Sequence, residues 1–222
     1  MNLDETDDEL AARADMASAL QRLGHALVGH RIDIATATSI TEAADAFHEH
    51  VTALPTRDRV AEMAANPRFV AAITGQQTST LGADGEAMDL FRDSIVSGRT
   101  NPMGVGLEVR RDGDTAVATT TLGPAFEGAP GRAHGGIIAA ILDETMGFVL
   151  PLIGDIAYTA NLTIDYVAPA PLHTTLTFTA ALRDRADRKL WIEARGASQE
   201  GVFVRAEALF LTVDLSTFSN GH

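Results

Sequence analysis

The sequence predicts an α+β fold, with helices in its first half and an antiparallel sheet covered by one apolar helix in its second half. Before residue 66, apolar residues recur at three- or four-residue steps, as they do in amphipathic helices. After residue 104, apolar and polar residues alternate, as they do in strands with one buried face. The order is two strands, one helix and four strands, which is typical of an α+β layer arrangement.

Three helices are predicted in the first half. The first follows from a stripe at helical spacing, formed by Leu10, Ala14, Ala17, Leu20, Leu23 and Leu27. Ser39 and Glu42 form a capping-box pattern, which predicts that a second helix starts there and continues until Pro55. A third, short helix is predicted over residues 56–65, where Asn66-Pro67 stops it.

A linker is predicted after these helices. Between residues 74 and 86 the sequence is rich in Thr, Gln, Ser, Gly and Asp and has few apolar residues. We therefore divide the chain into a helical N-terminal extension with its linker, residues 1–95, and a second domain, residues 96–222.

The second domain is predicted to hold the strands and the apolar helix. Residues 105–111 and 115–122 flank Asp112-Gly113-Asp114, a turn signal, and are predicted to form a hairpin. The helix is predicted over residues 134–150 and is closed by Pro151. Further strands are predicted at residues 157–167, 174–183, 189–197 and 202–213.

Composition and charge exclude several classes of function. The chain has 222 residues, with 17 Lys and Arg against 30 Asp and Glu, and a formal net charge of -13. We therefore expect no basic face for nucleic-acid phosphates or for an anionic membrane surface. The absence of cysteine excludes disulfides, Cys-ligated zinc and a Cys nucleophile.

The sequence predicts no membrane span and no metal site. The N-terminus is acidic where a signal peptide would be basic, and no uninterrupted apolar run reaches the roughly 18 residues of a membrane span. His48 and His50 lie two residues apart near a helix end, so their side chains diverge and make a poor metal pair. Because the sequence shows neither a signal-peptide pattern nor a membrane span, we expect a cytoplasmic protein.

A loop rich in Gly and Pro leads directly into the apolar helix. It covers residues 127–136 and ends in His134-Gly135-Gly136. The start of a helix leaves backbone N–H groups free, and glycines let a ligand approach the main chain closely. This loop is therefore a candidate site for a carbonyl oxygen that becomes an oxyanion.

Asp143 and Glu144 interrupt a helix that is otherwise apolar on every face. A carboxylate in such a helix costs free energy unless a partner or a reaction uses it. Asp143 lies nine residues after His134, half a turn out of phase and about 13 Å along the axis. The two residues of one helix therefore cannot share a site, but an antiparallel second copy could bring them together. The spacing thus indicates a two-fold dimer with sites at its interface.

These residues carry a resemblance that covers roughly half the chain, from about Ser97 to Asp214. The stretch resembles the hotdog-fold acyl-CoA thioesterases of the PaaI-like and THEM4-like branch. The matching segments are Glu127-Gly128, Pro130-Gly131, His134-Gly135-Gly136, Leu142-Asp143-Glu144, Gly147, Thr159-Ala160-Asn161-Leu162, Asp165-Tyr166 and Pro169-Ala170-Pro171-Leu172.

The resemblance implies a long central helix wrapped by a curved antiparallel sheet, in dimers that often pair into tetramers. It implies a thioester hydrolase without a metal or redox cofactor, with coenzyme A as part of the substrate. Asp143 would act as general base or nucleophile, and Thr159 would position the attacking water. The Gly136 N–H, with help from Gly135, would polarise the thioester carbonyl from the other subunit.

The resemblance also implies where coenzyme A would lie. Arg188 and Lys189 would face its phosphates, and Asp165 would line the same channel. Lys189 is the only lysine in the chain. Together with Arg183, Arg185 and Arg188 it forms the densest basic cluster of an acidic protein, as a bound polyanion requires.

One position departs from the PaaI type, whose members often carry Asn six residues before the His. Here that position is Gly128, a feature that the THEM4-like branch shares. His134 is then the candidate for the second oxyanion donor, although it could equally cap its own helix. Glu144 is expected to make a structural contact.

Two other functions remain open from the sequence. The first is a non-catalytic acyl-CoA-binding or interaction module on the same fold, and the second is a hotdog hydratase acting on enoyl-CoA. Acyl-chain length and the choice between coenzyme A and acyl carrier protein also stay open.

Overall fold

The computed structural model describes residues 6–59, 61–62 and 83–213. Two helices come first, α1 (Asp7–Gly29) and α2 (Ile34–Thr52). They are followed by β1 (Glu108–Asp112), β2 (Thr115–Thr121), a 3₁₀ turn (Pro124–Phe126), α3 (Gly135–Gly147) and α4 (Val149–Leu152). The last four strands are β3 (Ala157–Tyr166), β4 (Thr175–Ala186), β5 (Lys189–Ser198) and β6 (Gly201–Thr212). The predicted order of two strands, one helix and four strands is confirmed, and the short helix α4 follows the predicted one, α3.

Helix α1 contains the whole predicted stripe, but of its six residues only Leu10 and Ala17 are buried. The predicted start of the second helix was wrong. Helix α1 begins with a capping box, in which Thr6 and Glu9 satisfy each other's backbone N–H groups. Helix α2 begins at Ile34 because the Asp33 side chain caps it by accepting from the Thr36 N–H. The Ser39 and Glu42 pair lies inside this helix. Of the predicted third helix, residues 56–59 and 61–62 are described, and of these 59, 61 and 62 are helical. Most of the predicted linker lies outside the described residues.

All six strands form one antiparallel sheet in the order β1-β2-β4-β5-β6-β3. The strands β1 and β3 are therefore its edges. Helix α3 packs on one face through five buried side chains, Ile138, Ile141, Leu142, Thr145 and Met146. Alternate sheet residues such as Phe178, Ile192 and Phe210 meet it from the other side. These contacts form the hydrophobic core, and they fix the position of α3 and of the loop before it.

The segment before β1 runs along the sheet edge. Ala87 pairs with Arg110, and the Met88 N–H donates to the Val109 carbonyl at 2.8 Å. Met88 and Val96 are buried in the same core as the sheet. The division of the chain at residue 95 stays a prediction.

Helix α1 lies against the segment that precedes β1. Leu10 and Ala17 are its buried residues, and Arg13 forms an ion pair with Asp93 at 2.8 Å. Helix α2 differs, because no residue in it is buried and Phe47 is 72% exposed.

One stretch of the described residues, Gly135–Leu152, is long and apolar enough in composition to cross a membrane. It is the helix that packs on the sheet, and 44% of it is buried inside the protein. Core helices meet the same criteria of length and composition. The stretch includes Asp143 and Glu144, which interrupt the apolar run and because of which the sequence predicted no membrane span.

Candidate active site

The loop before α3 ends in a helix cap. His134 is the N-cap residue of α3, and its Nδ1 accepts a hydrogen bond from the Gly136 N–H at 2.9 Å. The His134 carbonyl accepts from the N–H groups of Ile137 and Ile138 at 3.0 and 3.2 Å. The capping role considered for His134 is therefore confirmed, and it fixes the ring over the first turn of the helix.

This cap changes which backbone donor is available. The Gly136 N–H, predicted to polarise a carbonyl, is already used by His134. The Gly135 N–H has no hydrogen-bond partner among residues 6–59, 61–62 and 83–213. Because Nδ1 of His134 is an acceptor, a neutral ring carries its proton on Nε2, which can then donate. The available donors at this helix end are thus Gly135 N–H and His134 Nε2–H.

Gly128 lies directly against this cap. A Cβ at residue 128 would stand 2.9 Å from the His134 Cα, closer than real Cβ contacts. The Gly128 N–H also donates to the Arg132 carbonyl at 2.9 Å. The backbone therefore has no room for the Asn that the PaaI type often carries here.

Asp143 and Thr159 form a direct pair. The Thr159 hydroxyl donates to Asp143 Oδ1 at 2.8 Å, from the edge strand β3 to the third turn of α3. The pairing of β3 with β6 is shifted between Thr159 and Asn161, an irregularity of the bulge type at this point. Asp143 is half-buried and Thr159 is exposed. The carboxylate is thus held in place with one side open.

Glu144 makes a structural contact, as predicted. Its Oε1 accepts from the Ser94 hydroxyl at 2.6 Å and also from the Ser97 hydroxyl. These serines belong to the segment that precedes β1. Glu144 therefore ties that segment to the central helix, next to Asp143.

Asp165 lies on the other side of the sheet within one protomer. It lines a groove of about 930 Å³ together with Asn161, Thr163, Arg195 and Arg205. Leu162 and Ile164, between them, point into the core. One protomer therefore does not bring Asp165 together with Asp143.

The basic cluster is mostly occupied. Arg183 pairs with Glu207, and Arg185 pairs with Asp155. Arg188 donates through Nε and Nη2 to the Thr212 carbonyl at 3.2 and 2.9 Å. The Lys189 side chain is exposed and has no ion-pair or hydrogen-bond partner in the part of the chain that the structure describes. Lys189 is thus the cation of this cluster that is open to an anion.

The structure adds residues that the sequence interpretation missed. A cavity of about 590 Å³ beside the His134 loop is lined by Glu127, Arg132, Tyr166 and Phe203 among others. The Tyr166 hydroxyl donates to the Gly135 carbonyl at 2.8 Å, which fixes the helix start from β3. Tyr166 is one of only two tyrosines in the chain. Tyr166 stands beside Asp165 in one of the segments that carry the family resemblance, and that position could have identified it as a site residue.

The described ranges contain no group of three or more His, Asp or Glu side chains that could hold a metal ion. His48 and His50 lie exposed on α2.

Comparison with known proteins finds similarity over part of the chain. Residues 130–204 match the thioesterase superfamily model. Acyl-coenzyme A thioesterase THEM4 of Mus musculus is 34% identical over 91 residues, which is 40% of this chain and 39% of that protein. Acyl-coenzyme A thioesterase THEM5 of Homo sapiens is 32% identical over 95 residues, 42% of this chain and 38% of that protein. The chain thus matches about two fifths of the length of these relatives.

A solved structure extends the likeness in three dimensions. A crystal structure described as a thioesterase superfamily protein superposes with a TM-score of 0.72 and covers 90% of each chain, at 23% identity. This likeness includes the N-terminal region and shows the fold. The hotdog fold expected from the resemblance is therefore confirmed.

Proposed function

We propose that this chain, in which residues 130–204 match the thioesterase superfamily on a hotdog fold, is an acyl-CoA thioesterase. It would take an acyl-CoA thioester and water and release a free carboxylic acid and the thiol of coenzyme A. The observation that carries the proposal is the Thr159–Asp143 hydrogen bond at 2.8 Å, which holds a half-buried carboxylate of the central helix. Residues 130–204, which match the thioesterase superfamily model, contain this pair and His134.

Asp143 supplies the chemical step in this proposal. As a carboxylate it either takes a proton from the attacking water or attacks the thioester carbonyl itself. Thr159 keeps Asp143 Oδ1 fixed, and the second oxygen, Oδ2, then faces the reacting atoms. In the first route the water oxygen bonds to the carbonyl carbon as the C–S bond breaks. In the second route Asp143 forms an anhydride with the acyl group as the C–S bond breaks, and water then hydrolyses that anhydride and frees Asp143. In both routes the sulfur leaves as a thiolate that takes up a proton. The acyl group leaves as a carboxylate.

The start of α3 stabilises the negative charge that develops on the carbonyl oxygen. Gly135 N–H and His134 Nε2–H are the donors that the cap leaves available. The Gly136 N–H becomes a donor to substrate only if the His134 ring turns away. One such donor typically contributes a factor of about 10² to 10³ in rate.

A second copy completes the site in this proposal. The donors and Asp143 lie at opposite parts of one helix, so Asp143 of one copy would face the helix start of the other. The edge strand β3 supports this arrangement, since Tyr158 is 65% and Tyr166 53% exposed on it. An unpaired edge of this kind favours pairing with the same strand of a second copy.

Pairing of two dimers is also part of the proposal. On the outer face, Arg195 lies opposite Arg205, and Glu193 lies opposite Glu207. Like charges opposite each other on neighbouring strands are destabilising, and within one protomer Arg183 compensates only Glu207 among the described residues of these two pairs. A second dimer turned so that its Glu pair meets this Arg pair would offset that cost.

Lys189 would bind a phosphate of coenzyme A, with Arg188 beside it in the β4–β5 turn. Asp165 would reach the substrate only if a further copy brings the outer face to it. The reaction needs neither metal nor redox cofactor, and we propose a cytoplasmic location.

Release of thiol from a panel of short, long and aromatic acyl-CoAs tests the function. The panel also addresses chain length. The chain has no cysteine and therefore no thiol background of its own. Asp143→Asn should fold and lose at least about a hundredfold in kcat. Asp114→Asn, the same change in the exposed β1–β2 turn, is the matched control and should behave as wild type.

Wild-type turnover in Asp143→Asn would refute the assignment. Binding of acyl-CoA without release by the wild type would favour a binding module. Hydration of an enoyl-CoA without thiol release would favour a hydratase.

A further inference from the structure

The last turns of α1 contact the chain just before the candidate active-site loop. His25 Nδ1 accepts a hydrogen bond from the Ala125 N–H at 3.1 Å. The same ring meets Phe126 edge to face, with centroids 5.1 Å apart and planes at 77°. A Cβ at residue 123 would stand 2.8 Å from His25 Nδ1, so Gly123 permits this approach.

This contact continues into the helix cap. The Phe126 carbonyl accepts from the His134 N–H at 2.8 Å. His134 Nδ1 in turn accepts from the Gly136 N–H at 2.9 Å. Two hydrogen bonds thus separate the turn that His25 holds from the helix start that offers its donors to a carbonyl oxygen.

We propose that His25 is a positioning residue of the active site, which holds the turn at residues 123–126 and, through it, the His134 ring. The inference rests on the proposed thioesterase function. It gives the N-terminal helix a part in catalysis, which neither the motifs nor the relatives assign to it. The role needs an unprotonated Nδ1, because a protonated ring has no acceptor there.

The surroundings of His25 favour that unprotonated ring. Partial burial and, secondly, the nearby His173 lower the pKa of His25 from its usual value of 6.5. An acceptor is thus available at neutral pH.

Helix α1 has other contacts that keep it attached. Leu10 and Ala17 are buried, Arg13 pairs with Asp93, and Gln21 Nε2 donates to the Asn101 carbonyl at 2.8 Å. These contacts lie one to four turns before His25. Loss of the acceptor at His25 should therefore change the turn without detaching the helix.

Two substitutions separate the acceptor from the ring. His25→Phe keeps a ring of similar shape against Phe126 but removes the acceptor. His25→Asn loses the ring but places an amide oxygen near the position of Nδ1. His30→Phe is the matched control, because the His30 ring is exposed and, among the described residues, hydrogen-bonds only to the Ala26 carbonyl of its own helix, at 3.0 Å.

Two measurements are made on the full chain. Steady-state thiol release gives kcat and KM, and NMR of the ¹⁵N-labelled protein gives hydrogen exchange at the Ala125 and His134 amides. We expect His25→Phe to lower kcat about tenfold with KM within about twofold, as for a small misplacement of catalytic groups. Exchange at Ala125 should rise about tenfold, since a hydrogen bond is lost. His25→Asn should stay within about threefold of wild type in both measurements, and His30→Phe should match wild type.

The outcomes distinguish this inference from the proposed function. A wild type without thiol release refutes the thioesterase function and with it the catalytic role of His25, whereas the exchange measurements still decide whether His25 holds the turn. Wild-type kcat in His25→Phe, or equal losses of kcat in His25→Phe and His25→Asn, overturns the positioning role. Unchanged exchange at Ala125 in His25→Phe overturns it as well.

Discussion

The hydrogen bond between Thr159 and Asp143 gives the most direct test of the site. Thr159→Val replaces the hydroxyl with a methyl group of nearly the same size. The lost bond is 2.8 Å long and its acceptor is a carboxylate, so its strength is about 1.5–3 kcal/mol. If the bond persists in the transition state, that energy corresponds to a loss of about 10- to 150-fold in kcat/KM. The assay is thiol release from the best acyl-CoA of the panel.

Two matched variants complete this experiment. Thr159→Ser keeps the donor and should retain most of the activity. Thr163→Val makes the same change on the same strand, where the hydroxyl donates to the Asn161 side chain at 3.3 Å, and should match wild type. Wild-type kcat/KM in Thr159→Val, or an equal loss in Thr159→Ser, would refute the role of the hydroxyl.

Further predictions concern stability and substrate binding. Burial opposes ionisation of Asp93, but hydrogen bonds from Arg57 and Thr100 lower its pKa to about 2. The ionised Asp93 therefore stabilises the fold fully above pH 3.8, and this stabilisation is lost as the pH falls from about 4 to about 2. In Asp93→Asn, the free energy of unfolding measured with urea should depend less on pH over that range. Gly196→Ala should cost about 1–3 kcal/mol of unfolding free energy, because its Cβ would lie 2.7–2.8 Å from three core side chains. The control Gly24→Ala has open space in α1 and should stabilise by about 0.5–1 kcal/mol; equal effects of both changes would contradict the packing argument. Lys189→Ala should raise KM for acyl-CoA severalfold but leave KM unchanged for a thioester that lacks the nucleotide. Equal changes in KM for both substrates would contradict phosphate binding.

The sequence predicted most of the domain because its signals are local. Alternation in β4 and β5 fixes which residues face the core, and the apolar run after His134 fixes the central helix. Helix α2 was misplaced because Asp33 offers a cap earlier than the Ser39 pattern, and the small residues between them continue the helix. A capping residue competes with others nearby, and the pattern alone does not rank them.

The candidate site was predictable in its members but less so in its connections. The residue pattern pointed to Asp143 and His134, and the family resemblance added Thr159. It did not show that the His134 ring accepts from the Gly136 N–H, which makes Gly135 the free backbone donor. The contact of His25 with Ala125 joins residues 100 positions apart, and no periodicity reports such a pair.

The position of β3 at the sheet edge makes the proposed enzyme sensitive to its own concentration. Thr159 lies on that edge, and the donors that complete its site belong to a second copy in the proposed arrangement. Association of two copies is bimolecular, so dilution below the dissociation constant should leave half-sites. Turnover per chain should then fall as the protein is diluted, and adding an Asp143→Asn chain should restore part of the lost turnover. Each mixed pair would keep one intact site, built from the wild-type carboxylate and the variant's helix start.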